Sequence, residues 1–175
     1  MLRKQPVQRR SQLTCDAILE ATVQVLLRQG PGGLTTGRVA ERAGVSIGTL
    51  YQYFSGKEAL IAAVREKHVA VLLAAVRRGA GDGSDTSPSG VLRATLTEFL
   101  RVKRENLDVS RALIALAGEP WTADRFDHDT KRFAMIVAPI LPDTPDRMQR
   151  AEVLVAALEG ILAHAVLHTP DWLAE

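Results

Sequence analysis

Between Ser46 and Tyr53 the chain sets out Ser46, Ile47, Gly48, Thr49, Tyr51, Gln52 and Tyr53 around a single leucine. Two hydroxyls, one amide and two phenols in eight positions carry no charge and hold no nucleophile–base pair. Their chemistry is hydrogen-bonded reading of another surface. A glutamine can bond an adenine edge through two atoms, and a threonine offers a methyl to thymine and a hydroxyl to phosphate. Leu50 and Phe54 stand four apart and point to the opposite side, into a core.

Other clusters were weighed for chemistry. His164 and His168 have the i, i+4 spacing of helical metal ligands. No HExxH motif accompanies them and no third ligand is in view, so they read as interface histidines. Asp124, Asp127, His128 and Asp129 read as a charged first turn of a helix. The single cysteine, Cys15, excludes an internal disulfide and a cysteine zinc site, and reads as a small semi-buried residue rather than a redox sensor. There is no phosphate-binding glycine loop, no GxSxG and no triad. The chain is expected to be no enzyme and to need no metal or cofactor.

The elements that position these residues follow from the rest of the chain. Its 175 residues suffice for one domain or two small ones, with a core that needs no staple. Apolar residues make up 46% and charged residues 24%, which excludes a disordered or collagen-like chain. The net charge of +2 is unevenly spread: residues 1–68 hold ten basic and five acidic side chains, and the remainder is net acidic. A basic end suits a polyanion. Arg3 and Lys4 lead into no apolar signal segment, and no unbroken apolar run approaches the ~20 residues that span a bilayer. A cytoplasmic protein with no membrane partner is expected.

The apolar period is helical throughout, and no alternating strand pattern or internal repeat is present. A polar, basic arm over residues 1–10 precedes a helix from Ser11 to Arg28, stopped by Gly30-Pro31-Gly32-Gly33. Thr35 caps a short helix from Thr36 to Arg42, and Gly44 supplies the turn. Ser46 caps a third helix to Tyr53. Ser55 and Glu58 form a capping box that opens a long helix over 57–78. Residues 79–90 are the linker. Ser87-Pro88 starts a helix to Glu105, Asp108 caps one over Ser110–Ala117, another covers Trp121–Ala138, and Thr144-Pro145 starts the last, closed by Thr169-Pro170.

Two short helices around Ala43-Gly44-Val45 are a helix-turn-helix, whose second helix enters the DNA major groove. The stretch from Ile18 to Leu60, and above all LTTGRVAERAGVSIGTLYQYFSGKEAL from Leu34 to Leu60, resembles the DNA-binding domain of TetR/AcrR-type repressors. The resemblance covers about the first third of the chain. It implies an all-α fold: a three-helix DNA-binding domain over 1–56, and a helical ligand-binding and dimerisation domain over 57–175 joined through the long helix. It further implies that Thr35 and Thr36 open the second helix, with Thr36 on phosphate. Ile47 and Gly48 would face bases, Thr49, Tyr51, Gln52 and Tyr53 would lie on the reading helix, and Lys57 would grip phosphate. Helix physics agrees for Lys57, because a helix N-terminus attracts anions. Gly37 departs from the pattern, standing where many relatives carry a polar or basic residue.

The last helix holds only two charges between Ala151 and His168, Glu152 and Glu159. A helix apolar nearly all round must be buried on two sides. One side is expected to form a homodimer interface through Val153, Ala156, Ala157, Gly160, Ile161 and His164. A two-fold dimer would set two reading helices about 34–36 Å apart on palindromic double-stranded DNA. In relatives two final helices per subunit build the dimer bundle; here the sequence ends at Glu175 after one, so the second is either absent or lost by truncation. The resemblance also implies a pocket for a small-molecule effector, which moves the long helix. Phe99, Trp121, Phe126, Phe133 and Met135 are its candidate lining, suited to a hydrophobic or aromatic molecule. Two other readings stay open: a helical binding protein or enzyme with a vestigial helix-turn-helix, and a dimer-forming interaction module.

Overall fold

A computed structural model describes residues 9–81, 83, 85–116 and 123–168. All regular elements among them are helical: α1 (Arg9–Gly33), α2 (Thr36–Ala43), α3 (Ile47–Tyr53), α4 (Lys57–Ala80), α5 (Pro88–Glu105), α6 (Leu107–Ile114), α7 (Ala123–Val137) and α8 (Arg147–His168), with a 3-10 turn at Ala138–Ile140. The chain forms two compact units. The first is Met1–His68 with Arg111–Leu116, and the second is Val69–Ser110 with Ala117–Glu175.

In the first unit the local signals act as their chemistry requires. Thr35 caps α2 by accepting from the Arg38 N–H at 3.3 Å, and Ser46 caps α3 by accepting from the Thr49 N–H at 3.0 Å. Gly44 ends α2 in the left-handed conformation, φ 68° and ψ 30°. The Val45 N–H donates to the Ala40 carbonyl and the Gly44 N–H to the Glu41 carbonyl, which is the Schellman arrangement. Ile18, Leu26, Val39, Leu50, Phe54 and Leu60 form the core beneath these turns. Thr22 is buried there too, and its hydroxyl donates to the Ile18 carbonyl at 2.8 Å, so no polar group is stranded. Cys15 is buried; burial, and then the charge of Asp16, push its thiol pKa up, so it stays protonated and unreactive.

Several local details differ from expectation. Arg9 and Arg10 already belong to α1 rather than to an arm. Gly30, at φ 67°, kinks the helix, but Pro31 restarts it for one turn to Gly33, because proline is compatible with a first helical position. The long helix begins at Lys57 as expected, but the Leu60 N–H donates to the Gly56 carbonyl, so Gly56 rather than Ser55 is the N-cap and Glu58 is the second helical residue, out of register for the expected capping box. In the second unit α6 starts at Leu107, so Asp108 lies in its first turn instead of capping it.

The second unit packs the end of α4 and α5 against α7 and α8. At Gly79 the backbone of α4 lies directly against that of α5. A Cβ there would lie 2.5 Å from the Thr95 Cα and 2.7 Å from the Ala94 carbonyl oxygen. Backbone cannot swing aside as a side chain can. Gly79→Ala is therefore expected to destabilise the protein by about 1–3 kcal/mol despite alanine's better helix propensity. A denaturation series in which the variant is as stable as the parent would show that the crossing can open without cost. Beside this crossing Glu98 of α5 accepts from Arg101 at 2.8 Å and from Arg78 of α4 at 2.9 Å. Those two bonds, Arg101's first, hold the Glu98 carboxyl down at about 2. The bridge thus contributes above the ordinary carboxylate range and fades only as pH falls toward that value.

α8 averages a mean hydropathy of 1.5 over 18 residues, long and apolar enough by composition to cross a membrane. The average hides a division. Ala151, Val155, Leu162, Ala165 and Val166 are buried within the unit, whereas Val153, Leu154, Ile161 and Leu167 are exposed. That is a helix with one face in a protein core and an apolar second face uncovered.

Candidate nucleic-acid interface and helical cavity

The turn at Gly44 presents α3 with one side sunk in the core and one side out. Leu50 and Phe54 are fully buried, as their spacing requires. Ile47, Gly48, Tyr51 and Gln52 are exposed and Thr49 is half-buried. The Ser46 and Thr49 hydroxyls hydrogen-bond each other at 2.8 Å, so both are committed first to fixing the start of α3. A Cβ at Gly48 would meet only the Ser46 Oγ, at 3.8 Å, an ordinary contact, so the bare glycine leaves the backbone approachable. Tyr53 departs from the expected reading face: it is 9% exposed. Three residues after Leu50 it falls on the same inward stripe of a 3.6-residue helix, and its ring packs as core.

α2 and α3 are tied by a bond that spacing alone does not reveal. The Thr36 hydroxyl and the Tyr51 phenol lie 3.1 Å apart. They set a pair of polar groups beside the start of α2, where free N–H groups and the positive helix end favour a phosphate. Thr35, by contrast, spends its hydroxyl on the cap. Lys57, the first residue of α4, is half-buried and donates to the Pro31 carbonyl at 3.0 Å. Arg38, which the sequence reading passed over, donates to the Gly33 carbonyl at 2.7 Å. Two cations from separate helices thus gather on the turn that closes α1. An ammonium has three donors and a guanidinium five, so each keeps N–H groups for another acceptor. A basic residue within two places of Thr36 was the signal available for Arg38.

In the second unit a cavity of about 130 Å³ lies between α4, α5, α7 and α8. Phe99 and Phe133 line it, and their rings meet edge to face at 6.0 Å and 87°. Leu92 and Leu96 of α5 and Leu154 and Leu158 of α8 complete most of the apolar wall. Met135 does not belong to it. It is 60% exposed, because Phe133 and Val137 take the inward side of α7 and the residue between them turns out. Trp121 and the side chain of Phe126 lie outside the described residues. The candidate interface residues Val153, Ala156, Ala157, Gly160, Ile161 and His164 are all exposed on α8. Among the described residues no group of three metal-ligating side chains occurs.

The comparisons with known proteins match this geometry. The family model described as bacterial regulatory proteins, tetR family, matches residues 18–64, which spans most of α1, α2, α3 and the start of α4. The HTH-type transcriptional regulator BetI 1 of Chromohalobacter salexigens is 26% identical over 178 residues, covering 95% of this chain and 82% of that protein. An uncharacterised HTH-type transcriptional regulator of Mycobacterium tuberculosis is 31% identical over 98 residues, 56% of this chain and 48% of its own length. Among solved structures, a transcriptional regulator from Rhodococcus sp. Rha1 superposes with a TM-score of 0.69 at 26% identity, covering 91% of this chain and 89% of that one. A TetR-like regulator from Rhodococcus sp. RHA1 gives 0.67 at 25% identity, with 93% and 86% covered. An exposed α3 after a Schellman turn, with cations at its flank, is the arrangement of a helix-turn-helix. The matched segment is the one that carries this site, and its relatives are regulators rather than enzymes. Over residues 18–64 the chain matches the tetR family of bacterial regulatory proteins, and over most of its length it is similar to transcriptional regulators.

Proposed function

We propose that this regulator is a repressor that holds a palindromic operator as a homodimer and is released by a small hydrophobic or aromatic effector in the cytoplasm. The observation that carries the reading is the pairing of two uncovered surfaces. One is the α3 face of Ile47, Gly48, Tyr51 and Gln52; the other is the apolar face of α8. A single reading helix gives little affinity alone, whereas a two-fold pair engages two half-sites one DNA turn apart. The six exposed α8 residues recur three or four apart, and the small ones among them allow a partner helix to come close. α4 contains both Lys57 and, in the cavity wall, Val76, so it is the element through which an effector would act on the DNA contacts.

Selection of bound fragments from genomic DNA tests the reading: a palindromic consensus supports it, and failure to retain any DNA sinks it. Within the same assay Lys57→Ala and Gln52→Ala should behave differently. Lys57 would contact phosphate, so its loss weakens every sequence alike and lowers the salt slope by about 1. Gln52 would contact a base, so its loss relaxes one position by about 1–3 kcal/mol of discrimination. Because Lys57 also bonds the Pro31 carbonyl, the titration is read alongside a thermal melt. An unchanged salt slope in a folded Lys57→Ala variant removes the phosphate role.

A further inference from the structure

Among the described residues that line the cavity between α4, α5, α7 and α8, only Thr95 and Glu159 are polar. Both spend their polar atoms on the protein. Thr95 is buried, and its hydroxyl donates to the Val91 carbonyl of its own helix at 2.7 Å. Glu159 is engaged too: its Oε2 accepts from the hydroxyl of Thr130, a buried residue of α7, at 3.2 Å. The surface that the cavity presents is therefore almost wholly carbon. We infer that the effector is an uncharged one-ring hydrocarbon, an alkylbenzene, with no hydrogen-bonding group. The inference rests on the reading that this cavity is the effector site.

Polarity sets the first part of the class. A hydroxyl or ammonium carried from water into a carbon-lined space gives up its hydrogen bonds and finds none in exchange. A methyl group of the same size has none to lose and gains by leaving water. The wall thus selects a ligand by what it lacks, and discrimination follows polarity at constant shape. Size sets the second part. An engineered apolar cavity of about 150 Å³ takes up benzene, and this one measures about 130 Å³. A single ring with a short alkyl arm fills it; a fused multi-ring molecule does not. The edge-to-face pair of Phe99 and Phe133 offers a third ring the same favourable geometry, which an open chain cannot use.

The test uses ethylbenzene, benzyl alcohol and benzylamine, three probes that differ only in a terminal methyl, hydroxyl or ammonium, with the full chain at neutral pH. Calorimetric titration is expected to show ethylbenzene binding at least about tenfold more tightly than benzyl alcohol, the effect of one buried hydroxyl without a partner, with benzylamine weakest. Leu96→Phe puts a ring into the cavity and should weaken ethylbenzene by at least about tenfold; Leu92→Phe, one turn away on the same wall, serves if that variant does not fold. If benzyl alcohol or benzylamine binds as tightly as ethylbenzene, the hydrocarbon inference is overturned, and weakening of that binding by the added ring keeps the cavity as the effector site. If ethylbenzene holds its affinity in the folded variants, it binds elsewhere and the inference falls. If none of the three binds, the cavity reading falls and the inference with it.

Discussion

Ile161→Arg is expected to yield a monomer whose affinity for operator DNA falls about a hundredfold or more. Ile161 is 57% exposed, so the folded chain loses little when it is replaced; surface changes usually stay within about 0.5 kcal/mol. The effect arises between two copies. Val153, Ala157, Gly160 and Ile161 form an apolar stripe whose small residues would let a partner helix come near. In a two-fold interface each substituted residue appears twice, so two guanidinium groups would be driven together in a water-poor contact. Avidity supplies the DNA effect, because linking two half-site readers raises affinity by about 10²–10⁴. Sizing at dilute concentration and an operator titration check both halves. A variant that remains dimeric and binds as before would place the interface on another face.

The second large effect is expected at Phe54. Its side chain is fully buried, and its backbone N–H closes α3 by donating to the Leu50 carbonyl at 2.9 Å. Phe54→Ala removes a ring from the core just where the reading helix ends. Such truncations cost about 3–5 kcal/mol, a large share of the stability of a domain this size. DNA binding should be lost through loosening of α3, although Phe54 touches no base in the proposed complex. Phe54→Leu restores most of the volume and is expected to recover most of the binding. Should Phe54→Ala unfold at the parental denaturant midpoint, α3 is anchored by something other than this core.

Much of the molecule was legible in the sequence because the signals were local. Thr35, Ser46 and Ser87 cap helices through side chains that reach N–H groups three residues on, and Gly44 turns the chain through its own backbone freedom. The exposed character of Ile47, Tyr51 and Gln52 follows from Leu50 and Phe54 being held inside. The motif from Leu34 to Leu60 made the family readable on the same ground, since the whole reading head is built from neighbours. The errors arose where a choice depended on a margin. Tyr53 lies 300° round the helix from Leu50, close enough to the inward stripe that packing claimed it. Ser55 lost the capping box by a single residue of register.

What the sequence by itself determined was therefore the helices, the turn and the reading head, because each is settled by interactions within about four residues. The tertiary structure alone decided the cavity: Val76, Phe99, Phe133 and Glu159 are separated by dozens of positions, and no periodicity pairs them. It also decided which side of α8 stays uncovered, that Met135 turns outward, and that Arg38 and Lys57 gather on the carbonyls of one turn. A helix pattern says that a face must be buried; only the packing of the chain on itself says against what.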